Sequence, residues 1–383
     1  MNLDDIRTIA VIGAGDMGHG IAEVSLMAGY NVFLRDVNQE FLDRGISRLN
    51  ESLKKLVEKE KVTTEHYDRI QKELLHPCLD LKEAVQGADL VIEVIPEIPE
   101  LKMDTFREMD QSAPSHTLLA SNTSSISITD ISSATQRPDK VMGLHFFNPV
   151  VLMKLVEVIR GDKTSEETMK MGYGFCEKIA KIPVRAEKDV PGFIVNRINA
   201  PAGVLRGCIV DNGIATPEEF DAVMKKLGAP MGPFELADYV GIDVSYHVMK
   251  YYAEKIHSDY TPGRKMEEMV KAGDFGKKTG KGFYDWSEGR PEIDLSKATD
   301  KVDPMDTMAV RINEATKLIE MGVCPADAID RAVINASGDT VGPMEVAKDQ
   351  DTKELTERLE RLAEKFGKEI FRPTKMIREG TYR

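Results

Sequence analysis

The sequence predicts an α/β domain followed by all-helical units, and three observations predict it. An apolar strand, residues 8–12, runs without a break into Gly13-Ala14-Gly15-Asp16-Met17-Gly18. Short apolar runs of strand length then recur as far as Val184. Beyond Lys188 such runs stop, and apolar positions recur at helical spacing instead. The chain has 383 residues, enough for two or three domains.

The first strand and its glycine loop read as a dinucleotide fingerprint of the Rossmann type, because the GxGxxG lies between a strand and a helix. Gly13 permits the tight turn, Gly15 lets backbone approach a pyrophosphate, and Gly18 lets helix and strand pack closely. Asp16 and Met17 complete the loop at the helix N-terminus, where anions bind. The helix is expected from about Met17 to Ala28, ending at Gly29. The next strand, residues 31–35, ends at Asp36, 18 residues beyond Gly18. An acid there hydrogen-bonds ribose hydroxyls and repels a 2′-phosphate, which favours NAD over NADP. Arg35 next to it points to the opposite face.

Residues 38–75 have a charged helical pattern with a turn and cap at Val62-Thr63-Thr64. They are read as a helical hairpin inserted into the nucleotide domain. Its lysines, Lys54, Lys55, Lys59 and Lys61, suit either a solvated surface or an anion site. Further strands are expected at 90–95, continued by Pro96-Glu97 and Lys102, and at 118–120. The second leads into Ser121-Asn122-Thr123-Ser124-Ser125, a binding loop or a helix cap. Val141-Met142-Gly143-Leu144 is a buried strand with His145 at its end, followed by Phe146-Phe147-Asn148-Pro149. Leu155-Val156-Glu157-Val158-Ile159 is another, with a carboxylate in its middle. Such a charge needs a partner, and His145 is the nearest candidate. A carboxylate on one imidazole nitrogen fixes the tautomer and leaves the other as a base. The alternative is a satisfied core histidine beside an unrelated glutamate. Residues 181–184 form the last strand expected.

The helical part begins near Pro191 to Arg197. It contains Gly232-Pro233-Phe234-Glu235 and a glycine- and lysine-rich loop, Phe275 to Tyr284. After a polar linker, 290–306, the pattern repeats. Arg311-Ile312-Asn313-Glu314 echoes Arg197-Ile198-Asn199-Ala200, and Gly342-Pro343-Met344-Glu345 echoes residues 232–235. The expected domains are therefore 1–187, 188–290 and 306–383. Net charge of −13 argues against nucleic acid and anionic membranes as partners. The four cysteines are scattered without metal-ligand spacing, so free thiols and no metal are expected. The charged N-terminus and the absence of a long apolar run lead us to expect a cytoplasmic protein.

Together these stretches resemble the L-3-hydroxyacyl-CoA dehydrogenase family, in the family's order over nearly all of residues 6–286. The terminal repeat resembles the duplicated C-terminal unit of fused members, with Met344 where the first copy has Phe234. The resemblance implies oxidation of an acyl-CoA thioester by NAD, as in fatty-acid β-oxidation or 3-hydroxybutyryl-CoA metabolism. It implies that His145 is the base, that Glu157 orients it, and that Ser124 and Asn196 hold substrate oxygens. Asn148 would support substrate and cofactor. Asp36, Glu97, Lys102 and Asn122 would contact NAD, with Lys278 near the cofactor. The hairpin lysines would meet CoA phosphates. The terminal repeat would take the place of a dimer partner, leaving other homo-oligomers open. Two other readings are a dehydrogenase of free hydroxy or sugar acids, and a non-catalytic NAD-binding protein.

Overall fold

The structure, a computed structural model, describes residues 2–336 and 339–382. The chain divides into two compact units. One is Met1–Phe193 with Gly322–Cys324, and the other is Ile194–Met321 with Pro325–Arg383.

The first unit is built on one eight-stranded sheet. Its strands are β1 (Thr8–Ile12), β2 (Asn31–Arg35), β3 (Leu75–Cys78), β4 (Leu90–Glu93), β5 (Leu118–Ser121), β6 (Val141–Phe146), β7 (Leu155–Ile159) and β8 (Ile182–Ala186). Their order is β3-β2-β1-β4-β5-β6-β7-β8. Pairing is parallel except between β6 and β7. The helices are α1 (Gly18–Met27), α2 (Gln39–Glu58), α3 (Thr64–Arg69), α4 (Leu81–Val85), α5 (Pro99–Ser112), α6 (Ile128–Ser132) and α7 (Glu166–Lys178). β4, β5, β6 and β7 are buried at every position. That is why they read as continuous apolar runs rather than as an alternation.

The chain leaves β1 on one side for β2 and β3, then crosses to β4 on the other. The glycine loop after β1 thus stands at the point where strand order reverses, the usual ligand crevice of such sheets. The inserted hairpin is α2 and α3. Asn38 caps α2 by accepting from Phe41 N at 2.9 Å, and Thr63 caps α3 by accepting from His66 N at 3.2 Å. A π-helical turn, Ile70–Leu74, then leads into β3. That strand is absent from the sequence expectation. It is short and contains Pro77, whose missing N–H is tolerated because β3 is the edge of the sheet. Four other strands differ at their ends: β4 stops at Glu93, β5 takes in Ser121, β6 continues through His145 to Phe146, and β8 runs from Ile182 to Ala186.

The second unit is helical: α8 (Val195–Asp211), α9 (Pro217–Lys226), α10 (Pro233–Val240), α11 (Ile242–Lys255), α12 (Arg264–Ala272), α13 (Pro304–Glu320), α14 (Ala326–Ala336), α15 (Pro343–Lys348), α16 (Thr352–Phe366) and α17 (Lys375–Glu379). The repeat seen in the sequence has a shared structural cause. Asp221 on α9 accepts from Phe234 N and Glu235 N at 2.9 and 2.8 Å, capping α10. Asp330 on α14 accepts from Met344 N and Glu345 N, each at 2.8 Å, capping α15. Gly232 and Gly342 are required beside these carboxylates, since a Cβ would lie 2.2 Å from each. The first copy goes further. Tyr284 OH donates to Asp221 at 2.8 Å, and Asp238 accepts from Phe283 N, Tyr284 N and Trp286 Nε1.

The two copies meet along α8 and α13. Arg197 Nε donates to Glu314 Oε1 at 2.5 Å, with the two side chains 7% and 0% exposed. Position 314 corresponds to Ala200 in the first copy, so the second copy supplies a countercharge that the first lacks. Cutting the chain after Ser287 removes α13 and uncovers both the apolar face of α8 and Arg197. The shortened chain is expected to dimerise through that face or to aggregate. Light scattering of both forms tests this, and a soluble, fully folded monomer would show that the second copy does not cover the first.

Candidate active site

The antiparallel step between β6 and β7 places His145 directly opposite Glu157. Side chains of directly opposed residues share one face of a sheet. His145 Nδ1 lies 2.6 Å from Glu157 Oε2, with His145 6% exposed and Glu157 fully buried. An ionised carboxylate only accepts, so Nδ1 carries the proton that joins them. Nε2 is then the nitrogen left for chemistry. Phe147 and Phe193 flank the imidazole, with ring centroids 4.5 and 5.7 Å away. Phe147 stands beside His145 already in the sequence, whereas Phe193, far along the chain, gives no signal there that would single it out.

The neighbouring strand end supplies a polar turn. Asn122 Oδ1 accepts from Phe146 N at 2.9 Å, tying this turn to the strand of His145. Glu97 Oε1 gathers the residues that follow. It accepts from Thr123 Oγ1 at 2.5 Å, Ser124 N at 3.0 Å, Ser125 N at 3.1 Å and Ser125 Oγ at 2.9 Å. Burial opposes ionisation of Glu97, but Lys102 and these donors outweigh it and hold its carboxyl below the usual range. Lys102 itself is 1% exposed, between Glu93 and Glu97. Glu93 was missed, although a glutamate in an apolar strand is the same signal that singled out Glu157.

The glycine loop fits a dinucleotide. Gly13 has φ +114° and sits where a Cβ would lie 2.5 Å from Val94 O, while a Cβ on Gly18 would collide with Gly13 O. At Gly15 a Cβ would meet nothing within 4 Å, which leaves that backbone open to a phosphate. Asp36 Oδ2 accepts from Ala14 N at 2.8 Å, so the acid is braced against the loop. Arg35 Nε instead donates to Leu79 O at 3.0 Å, away from that acid. Met17 is half-buried. Asp16 is exposed and paired with Arg48 of α2, a contact the sequence does not reveal.

Asp16 and Arg48 line a depression together with His19, Gly20 and Asn148-Pro149-Val150-Val151. Lys181 fixes that last segment from below, donating to Val150 O and to Met153 O, the latter at 2.7 Å. Burial pulls the Lys181 ammonium down to about 8. Lys54, Lys55 and Lys61 are exposed on the hairpin. In the second unit, Asn196 is half-buried in the first turn of α8. Lys278 Nζ donates to Asp243 Oδ2 at 2.5 Å and lies 5.2 Å from the Phe275 ring centroid. Among the described residues no cluster of His, Cys, Asp or Glu has the arrangement of a metal site. No described helix is long and apolar enough to cross a membrane.

Residues 8–190 match the family described as 3-hydroxyacyl-CoA dehydrogenase, NAD binding domain. Residues 192–286 match 3-hydroxyacyl-CoA dehydrogenase, C-terminal domain. The mitochondrial hydroxyacyl-coenzyme A dehydrogenase of Rattus norvegicus is 41% identical over 73% of this chain and 91% of its own length. The crystal structure of 3-hydroxybutyryl-CoA dehydrogenase from Escherichia coli K12 superposes with a TM-score of 0.89, at 31% identity over 98% of both chains. That of (S)-3-hydroxybutyryl-CoA dehydrogenase from Ralstonia eutropha gives 0.70, at 37% identity over 73% of this chain and 99% of that one. With matches to both of its domains and this degree of identity to its members, the chain belongs to the 3-hydroxyacyl-CoA dehydrogenase family, whose cofactor is NAD.

Proposed function

We propose that this chain oxidises L-3-hydroxyacyl-CoA thioesters to 3-ketoacyl-CoA, and runs the reverse reaction, with His145 as the general base. The observation that carries this reading is the His145–Glu157 pair at 2.6 Å, an oriented imidazole at the edge of a polar turn. A pure NAD-binding protein has no use for an oriented base. NAD supplies the hydride acceptor. Nε2 of His145 removes the proton of the 3-hydroxyl group, and Glu157 stabilises the imidazolium that results. Ser124 and Asn196 hold the substrate oxygens, with Asn148 supporting their placement. On the cofactor side stand Gly13, Gly15, Asp16, Met17, Gly18, Asp36, Glu97, Lys102, Asn122 and Lys278. Lys54, Lys55 and Lys61 meet the phosphates of CoA, supplying local positive charge on a chain of net charge −13.

We assign residues 1–187 to the nucleotide domain, 188–290 to a first helical domain and 306–383 to its structural copy, standing where a partner subunit would. None of the four cysteines takes part in a disulfide, which fits a reducing compartment, here the cytoplasm.

NADH oxidation with acetoacetyl-CoA, longer 3-ketoacyl-CoAs and free acetoacetate tests the substrate class. Thioesters should react and the free acid should not, and the reverse would favour a hydroxy-acid dehydrogenase. His145→Gln should lower turnover by at least about 10²-fold while NADH affinity is kept. Wild-type turnover in that variant would remove His145 from the chemistry. Glu157→Gln keeps the shape and removes the charge. Its turnover should fall by between about 10-fold and 10⁴-fold, as when an orienting carboxylate is lost, with KM largely unchanged. Unchanged turnover would make Glu157 a bystander in the core. Asp36→Ala should erode a preference for NADH over NADPH, measured as the ratio of kcat/KM. A wild type that uses both equally would overturn the role given to Asp36.

A further inference from the structure

Glu93 is a buried carboxylate to which the chemistry above gives no task. It ends β4, in register with Ile12 on one side and Ser121 on the other, and it is fully buried. Both of its oxygens are committed. Oε1 accepts from Ile95 N at 2.7 Å and from Lys102 Nζ at 2.6 Å. Oε2 accepts from Ser121 Oγ at 2.6 Å. A charge this deep is kept only where its partners satisfy it, and here three donors do so.

Its partners lead to the polar turn by two routes. Ser121 Oγ, besides donating to Glu93, accepts from Thr123 N at 3.2 Å, which fixes the start of the turn. Lys102 takes the second route. Its ammonium faces Glu93 Oε1 at 2.6 Å, Ile95 O at 3.1 Å and Glu97 Oε2 at 3.3 Å. Glu93 and Ile95 accept two of its three N–H donors, and Glu97 Oε2 stands against it as an ion pair. The other oxygen of Glu97 holds Thr123, Ser124 and Ser125. Glu93 therefore grips the turn at its start through Ser121 and along its length through Lys102 and Glu97.

We propose that Glu93 is a positioning residue that sets the 121–125 turn, and with it Ser124, and that Lys102 links it to Glu97. The physical reason lies in how Glu97 is divided. With Glu93 ionised, Lys102 has two carboxylates and draws only part of Glu97 toward itself. Without that charge, Glu97 is the sole carboxylate left for a buried ammonium. The Lys102 side chain is 1% exposed and that of Glu97 37%, so the attraction between them is only partly screened. Glu97 is then pulled onto Lys102 and away from the amides of Ser124 and Ser125, and the turn loosens where the substrate is held.

The inference rests on the roles proposed for Ser124 and Glu97, and the test separates the two. Glu93→Gln, Glu97→Gln and the double variant are made in the full chain. Steady-state rates with acetoacetyl-CoA, NADH affinity by fluorescence, and amide exchange over residues 121–126 are measured for each. Glu93→Gln should lower kcat/KM by about tenfold, weaken NADH binding by about the factor seen for Glu97→Gln, and speed exchange at Ser124 and Ser125 by about tenfold. The double variant should be no worse than Glu97→Gln, because residues acting through one another are not additive. Losses that multiply, or unchanged exchange in Glu93→Gln, would overturn the proposal. If Glu93→Gln does not fold, Ser121→Ala cuts one route and leaves every charge paired. Faster exchange at Thr123 in that variant supports the proposal, and unchanged exchange there overturns it. A failure of the underlying roles shows itself differently: Glu97→Gln and Ser124→Ala would both keep wild-type rates, and the inference would fall with them.

Discussion

A carboxylate buried in an apolar sheet must be satisfied by partners close at hand, and the first unit is arranged around that requirement. Leaving a charge buried and unpaired costs several kcal/mol, more than most single contacts return. Glu157 meets the requirement with the histidine directly across an antiparallel pair. The sheet is otherwise parallel, and the turn of β7 against β6 sets the two residues directly opposite each other. The single antiparallel step is therefore what brings acid and imidazole together. Glu93, on a parallel strand, meets the same requirement differently, through a lysine from α5 and a serine on β5. In both cases the demand of burial is what holds polar groups in place, and rigid polar groups are what a reacting substrate needs.

The glycine loop shows the complementary constraint, which is space rather than charge. Gly13 and Gly18 are closed positions, where any side chain would strike backbone. Gly15 is open, with room in front of it. One motif thus contains residues held small by the fold and a residue held small for a ligand. The order of the glycines in the motif already suggests this division, since each position has its own task between strand and helix.

In the helical unit the same logic operates between repeats. Asp221 and Asp330 each cap the helix that follows a Gly-Pro pair, and this is the feature that the repeat preserves. The loop that completes the first copy, with its bonds from Tyr284 and Trp286, has no counterpart in the second. Glu314 marks the other divergence. Position 200 is alanine in the first copy, and the second copy carries a buried acid for Arg197 at that place. The two copies have become complementary rather than identical, which is what a covalently joined pair permits and a symmetric dimer does not.

By itself the sequence determined whatever depends on short-range pattern. The Rossmann-type strand, loop and helix at 8–29, the acid at Asp36, the hairpin with its cap at Thr63 and the paired repeat were all legible, because periodicity and turn chemistry act over a few residues. It also marked Glu157 as a charge in want of a partner, and proximity along the chain made His145 the candidate. The tertiary structure decided what depends on distant residues meeting. It made a strand of Leu75–Cys78, whose proline is acceptable only at a sheet edge. It turned β7 antiparallel and so fixed the register of the pair. It placed Lys102 between two carboxylates and gave Glu97 the backbone of the serine turn. It also set Arg197 against an acid 117 residues away. A sequence displays which groups must be satisfied, but only the fold chooses the partner that satisfies them, because burial and charge act through space without regard to separation along the chain.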